Sequence, residues 1–234
     1  VRQSFEEALH SQSYAVMVDS ISMNTDEIYE MWRTDNELKG KNEFIGNVYE
    51  TYGQKAIDGD DEAKIYMIIA NQCLEGIYFY SGFAGIYVLA RAGKMLGSAQ
   101  MIRFIQRDEV THLQLFANIY KEIKKENPNL FTDKVIQNIK DMFYQAYELE
   151  RDWGYYITGE QILGFSNELI DNFIKYLTNQ RLKAIGIDKL FPEIGDKNPL
   201  SWFDSFGSFN EQKTNFFEGN VVNYSKGGLD WDDF

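Results

Sequence analysis

The sequence predicts an all-α fold, and three observations carry that expectation. Only three prolines occur in 234 residues, Pro128, Pro192 and Pro199, so everything before Asn127 lacks the strongest helix breaker. Apolar residues recur at spacings of mainly three to five, as Phe5, Leu9, Tyr14, Val16, Met17 and Ile21 do, and do not alternate as in a strand. Helix-opening chemistry precedes one periodic run after another, at Asn24-Thr25-Asp26-Glu27, at Asp58-Gly59-Asp60-Asp61-Glu62, at Thr132 and at Ser166.

Taken in order, the first helix is expected from Arg2 to about Ile21 and a second from Asn24 to about Leu38, with Gly40-Lys41-Asn42 read as a break. A third follows from Glu43 to Ile57. The acidic run after it marks the next N-terminus, where negative charge suits the helix dipole. From Glu62 to about Ala92 the pattern is continuous, and the fifteen residues from Gly76 to Ala90 carry no charge. That is below the roughly 18 residues of a membrane span, so the segment reads as a central core helix. Gly76, Gly82 and Gly85 inside it predict a bend or a close approach of neighbours. Gly93 to Gly97 forms a turn, Ser98 is expected to cap a helix reaching about Lys125, and Asn127-Pro128-Asn129 ends it. Thr132 opens a helix to about Tyr156, and Ser166 one to near Gly186. The segment from Pro192 to Asn215 reads as irregular. Residues 1–215 are therefore expected as one helical domain and 216–234 as a flexible tail.

The charge balance is 36 Asp and Glu against 23 Lys and Arg, a net −13. Neither a nucleic acid nor an anionic membrane surface is an expected partner, since both need a basic face. A single cysteine, Cys73, cannot form an intramolecular disulfide, which points to the cytoplasm.

Both histidines follow a glutamate by three residues, in Glu7-Ala8-Leu9-His10 and Glu109-Val110-Thr111-His112. Residues three apart share a helix face, so each motif offers a carboxylate and an imidazole to one point. Glu75 sits in an apolar stretch where an unpaired carboxylate is costly. Midway between Glu75 and Glu109 lies residue 92, in the expected turn, so a helical hairpin brings Glu75 abreast of the second motif. Such a set belongs to ferritin-like dinuclear carboxylate bundles, which draw a Glu from each of two helices and Glu-x-x-His from two others. Three of the four contributions are visible. Hard oxygens with two imidazoles suit Fe(II) or Mn(II), whereas a structural zinc site wants more thiolates than Cys73 supplies.

The residues around these ligands resemble the small, radical-bearing beta subunit of class I ribonucleotide reductase. The resemblance runs through Glu7-Ala-Leu-His10-Ser-Gln-Ser-Tyr14, Leu74-Glu75-Gly-Ile-Tyr-Phe79-Tyr-Ser-Gly-Phe83 and Arg107-Asp108-Glu109-Val-Thr-His112. It continues through Thr178-Asn-Gln-Arg181-Leu, Asn198-Pro-Leu-Ser-Trp202 and Phe217-Glu218-Gly-Asn-Val-Val-Asn-Tyr224, and so spans essentially the whole chain. It implies a ferritin-like bundle with two Fe ions, or Mn, held by Glu7, His10, Glu75, Glu109 and His112. It implies that Tyr14 carries a stable radical formed with O2, although on spacing alone Tyr14 is an ordinary aromatic one turn past His10. Phe79, Phe83 and Ile105 match the apolar surround of that radical, and Asp108 matches a carboxylate that hydrogen-bonds a ligand histidine. Glu218 and Tyr224 match residues of a radical route to the large, catalytic alpha subunit. In the family the extreme C-terminus, here Gly228-Leu-Asp-Trp-Asp-Asp-Phe234, docks on that subunit, which reduces ribonucleotides to deoxyribonucleotides. A homodimer is also implied.

One part of the family pattern has no counterpart. The segment upstream that normally supplies a fourth carboxylate, an aspartate, and a tryptophan on the radical route is absent, so an incomplete sequence or a split subunit is expected, with poor metal binding as written. Glu6 lies about 100° around the helix from Glu7 and is not a substitute. The residues also leave open an R2-like ferritin-fold oxidase acting on an organic ligand, or a non-catalytic metal-binding bundle. Neither has a use for Glu218, Tyr224 and an acidic, aromatic terminus.

Overall fold

The computed structural model describes residues 1–159, 162 and 164–207. Glu218, Tyr224 and the expected tail lie outside the described residues, as does the end of the expected helical domain. Among the described residues there is no strand. The described residues form nine α-helices, in order α1 (Arg2–Ile21), α2 (Thr25–Thr34), α3 (Asn36–Ile57), α4 (Asp61–Gly76), α5 (Tyr80–Arg91), α6 (Leu96–Glu126), α7 (Asp133–Thr158), α8 (Asn167–Ala184) and α9 (Phe203–Gly207).

Several starts follow the sequence chemistry. Asp60 Oδ1 accepts from the Ala63 amide at 3.0 Å, and Thr132 and Ser166 hydroxyls accept from Val135 and Leu169 amides at 3.3 Å. Two expected boundaries move. The break between the second and third helices falls at Asp35, whose side chain caps α3 by accepting from the Leu38 amide at 2.9 Å. Gly40-Lys41-Asn42 instead lies within α3, because Lys41 is anchored inward and packing outweighs local propensity. Ser98 is not a cap either. The turn closes tightly when the Lys94 amide returns to the Leu89 carbonyl, and α6 starts at Leu96 behind Met95, at φ 51°. In the segment expected to be irregular, Phe203–Gly207 forms a short helix whose Phe203 packs against Tyr80, Tyr87 and Phe173.

At the centre stands α4, packed against α3, α6 and α7. The stretch Asp61–Arg91 is long and apolar enough to cross a bilayer by composition, but 72% of its most apolar window is buried within the protein. Its apolarity is that of a core helix.

This stretch is two helices because the chain breaks at residues 77–79. The Ile77 and Tyr78 amides both reach the Cys73 carbonyl at 3.2 Å, so one turn is overfilled and the Tyr78 carbonyl loses its helical partner. Charged side chains from three other helices take over. Lys41 of α3 donates to the Tyr78 carbonyl at 2.9 Å and to Glu150 of α7. Glu150 accepts from the Ser81 amide at 2.9 Å and from the Ser81 hydroxyl. Arg181 of α8 donates to the Gly76 carbonyl at 3.1 Å. The Lys41 ammonium also lies 4.8 Å from the Tyr78 ring centre and 5.2 Å from that of Trp153. Both predicted causes therefore act together. The bend exists, and Gly76 is also where neighbours crowd: a Cβ there would come within 2.9 Å of Leu113 Cδ2 and 3.0 Å of Arg181 Nε.

Glu150 is fully buried and Lys41 nearly so. Removing one partner of a buried pair leaves an uncompensated charge, at a cost of about 3–5 kcal/mol. Lys41→Met is therefore expected to destabilise the protein by about that amount in urea denaturation. Lys41→Met with Glu150→Gln, which keeps an acceptor for the Ser81 amide, is expected to recover more than half of the loss.

Candidate metal centre

Helix α1 is amphipathic in an unexpected sense. Of the apolar residues whose spacing predicted it, Phe5, Leu9, Tyr14, Val16 and Ile21 are exposed and only Met17 is buried, beside Glu6 and His10. Two of those three are polar, so this face is turned toward a polar interior. Opposite it runs α6, with Asp108, Glu109 and His112 buried. Glu75 comes from the last turn of α4 rather than from the middle of a continuous helix, and it stands abreast of the second motif as the hairpin geometry predicts.

Glu7, Glu75, Glu109 and His112 each bring one ligand atom to a common point, all within 4.8 Å of one another. His10 adjoins them. Its Nδ1 lies 3.2 Å from Glu109 Oε1 and 3.7 Å from Glu7 Oε2. On the other side, His112 Nδ1 lies 3.2 Å from Glu109 Oε2 and 3.3 Å from Glu7 Oε1. Glu7 and Glu109 thus each turn one oxygen toward each imidazole, and both would hold a metal pair if one were bound. Glu75 Oε2 stands 3.4 Å from His112 Nδ1 and belongs to that half alone. Its other oxygen is taken by Gln3 at 2.8 Å and Asn71 at 3.0 Å. Among the described residues no carboxylate stands to His10 as Glu75 stands to His112.

The donor atoms fit a metal pair. His10 Nδ1 and Glu75 Oε2 are buried without hydrogen-bond partners, and both face the cluster. Their oxygen-rich, two-imidazole chemistry is that of Fe(II) or Mn(II) sites. The electrostatics show the same demand for positive charge. Burial pushes the Glu7 carboxyl above its usual range, reinforced by Glu109 and Glu75. Burial also opposes charge on both imidazoles, yet the acids overrule it. Asp108 and Glu109 lift His10 to about 9, and Glu109, Glu75 and Glu6 lift His112 to about 11. Glu109 is held below its usual range despite burial, because both imidazoles stand 3.2 Å from its oxygens.

The remaining predicted residues fall into place unequally. Asp108 Oδ2 is 3.4 Å from His10 Nε2, and its Oδ1 accepts from Arg107 Nε and Nη2 at 3.0 and 2.9 Å. Tyr14 lies one turn beyond His10 and is 36% exposed, so the described residues do not seal it from water. Its phenol is nonetheless pushed above the usual tyrosine range, first by burial and then by the charges of Glu109 and Glu7. Phe83 and Ile105 are 2% exposed and Phe79 is half-buried, with the two phenylalanine rings 6.1 Å apart. Sequence reasoning passed over Gln3, Asn71 and the role of Glu6, which accepts from His112 Nε2 at 2.9 Å. For Glu6 a signal existed, since an acid stands immediately before the glutamate of both Glu-x-x-His motifs.

Comparison with known proteins gives this arrangement its context. Residues 1–199 match the family described as ribonucleotide reductase, small chain. The ribonucleoside-diphosphate reductase subunit beta of Treponema pallidum (strain Nichols) is 40% identical over 234 residues, covering 99% of this chain and 66% of that protein. The ribonucleotide reductase R2 subunit from Clostridium botulinum superposes with a TM-score of 0.81 at 44% identity, over 88% of this chain and 64% of that one. Streptococcus sanguinis dimanganese(II)-NrdF superposes with a TM-score of 0.70 at 26% identity, over 87% of this chain and 67% of that one. The chain spans about two thirds of the length of these relatives. With its helical bundle, its carboxylate and histidine cluster and a family match over most of its length, the chain belongs to the ribonucleotide reductase small-chain family.

Proposed function

We propose that this chain is the radical-generating small subunit of a ribonucleoside-diphosphate reductase, with a dinuclear iron or manganese centre held by Glu7, His10, Glu75, Glu109 and His112. The observation that carries the reading is the pair of acids, Glu7 and Glu109, each with one oxygen toward each histidine. When bound, the metal pair supplies one-electron oxidation of a nearby phenol, with O2 as oxidant. The chain's own residues decide where that oxidising power goes. Tyr14 is the assigned phenol, and burial, ahead of the charges of Glu109 and Glu7, holds it in its protonated form. Phe79, Phe83 and Ile105 are assigned to the apolar part of the radical's surround. Asp108 fixes the His10 ring by holding its Nε2. Glu218 and Tyr224 are assigned to the route toward the large subunit, where ribonucleotides are reduced. The acidic, aromatic C-terminus is the docking segment, and the working form is a homodimer in the cytoplasm. The cluster's donor chemistry suits either Fe or Mn.

Electron paramagnetic resonance on full-length protein loaded with Fe(II) and exposed to O2 tests the radical. A tyrosyl signal is expected in the wild type and is expected to vanish in Tyr14→Phe with metal content unchanged. A signal unaltered by that substitution assigns the radical elsewhere. For the partner, a synthetic peptide of residues Ser225 to Phe234 is expected to compete with association of the two subunits, and absence of competition removes the docking assignment.

A further inference from the structure

We infer that Glu6 is the positioning residue for His112, and that α1 and α6 exchange these supports, each helix holding the histidine of the other. The inference rests on the metal centre proposed above and adds a residue to it.

An imidazole that binds a metal through Nδ1 must carry its proton on Nε2, and an acceptor beside Nε2 enforces that choice and fixes the ring plane. Both rings here present Nδ1 to the carboxylate cluster, and both meet a further acid on the opposite edge. Asp108, from α6, lies 3.4 Å from Nε2 of His10 on α1. Glu6, from α1, lies 2.9 Å from Nε2 of His112 on α6. The second contact is the shorter.

Each acid is fixed in turn by an arginine on its own helix. Asp108 accepts from Arg107 at Oδ1 and meets His10 Nε2 at Oδ2, while Glu6 accepts from Arg2 at Oε1, 2.9 Å away, and meets His112 Nε2 at Oε2. Both oxygens of each acid already face a partner. Burial argues against a chance surface pair. The Arg2 side chain is 61% exposed but that of Glu6 only 11%, and a carboxylate so withdrawn from water is stable only when both oxygens are satisfied.

Helix geometry explains the crossing. Adjacent residues on a helix point about 100° apart, so when Glu7 and Glu109 face the cluster, Glu6 and Asp108 turn sideways. Sideways from α1 is α6, and sideways from α6 is α1. The shared pattern of acid, Glu, two residues, His is therefore one device used twice. It also separates Glu6 from ligand duty, because Nε2 and Nδ1 lie on different edges of the ring and the cluster is on the Nδ1 side.

The test uses Zn(II), a diamagnetic probe, on full-length protein labelled with 15N-histidine. Two exchange-protected, low-field Nε2 protons are expected, one from each histidine. Glu6→Ala is expected to remove protection at His112 and spare His10, although His10 sits on the same helix as the substitution, and Asp108→Ala is expected to do the reverse. Glu6→Gln, which keeps an oxygen acceptor, is expected to retain the His112 signal. In parallel, Mn(II) titrations should show one of two ions weakened by about 10–100-fold in Glu6→Ala and largely restored in Glu6→Gln. If Glu6→Ala disturbs His10 as much as His112, or leaves His112 and both Mn(II) affinities unchanged, the positioning role is wrong while the metal centre stands. If the wild type takes up neither Zn(II) nor Mn(II), the metal centre itself is wrong and this inference falls with it.

Discussion

Glu75, Glu109 and His112 are almost wholly withdrawn from water in one interior, with Glu7 closing the group from its half-open side. Carboxylates crowded at low dielectric repel one another strongly, and such a group persists only where cations, protons or hydrogen-bond donors meet every oxygen. Much of the surrounding architecture answers that demand. Gln3 and Asn71 hold one oxygen of Glu75, and two imidazoles stand between Glu7 and Glu109. Glu6 and Asp108, backed by arginines, steady those imidazoles from behind.

A second charge system stands apart from the first and serves the backbone. Where α4 ends, Lys41, Glu150 and Arg181 replace hydrogen bonds that the broken helix has lost. A buried ion pair of this kind contributes little net stability compared with a well-packed apolar substitute. Its value lies in geometry. The break follows Glu75 by two residues, so the acid sits in the last turn of a rigid helix while Phe79 and Phe83, beyond it, are free to take a different rotation about the axis.

Much of this was legible in the sequence, and the exceptions share a cause. Proline spacing, cap residues and three-to-five periodicity located the long helices, and the two Glu-x-x-His motifs with Glu75 named the cluster because local geometry dictates which residues share a face. What failed required knowledge of a distant partner. Gly40-Lys41-Asn42 reads as a break until Glu150, 109 residues away, is known to hold Lys41 inside α3. Glu6 reads as a bystander to Glu7 until α6 is laid beside it. In α1 the apolar spacing was right about the helix and a poor guide to its face, since Glu6 and His10 turn inward with Met17 while Phe5 and Leu9 do not.

The crossed contacts between α1 and α6 have a consequence for dimension. His10 and His112 stand with ring centres 6.1 Å apart, and each ring is tethered to the helix opposite its own. A slip of either helix by one residue, about 1.5 Å along its axis, would drag on both rings together. The gap between the two imidazoles is therefore gauged by how the helices pack and not by the rotamers of the histidines themselves. In this bundle, a substitution at the α1–α6 interface far from any ligand acts on the centre as a change of calibre.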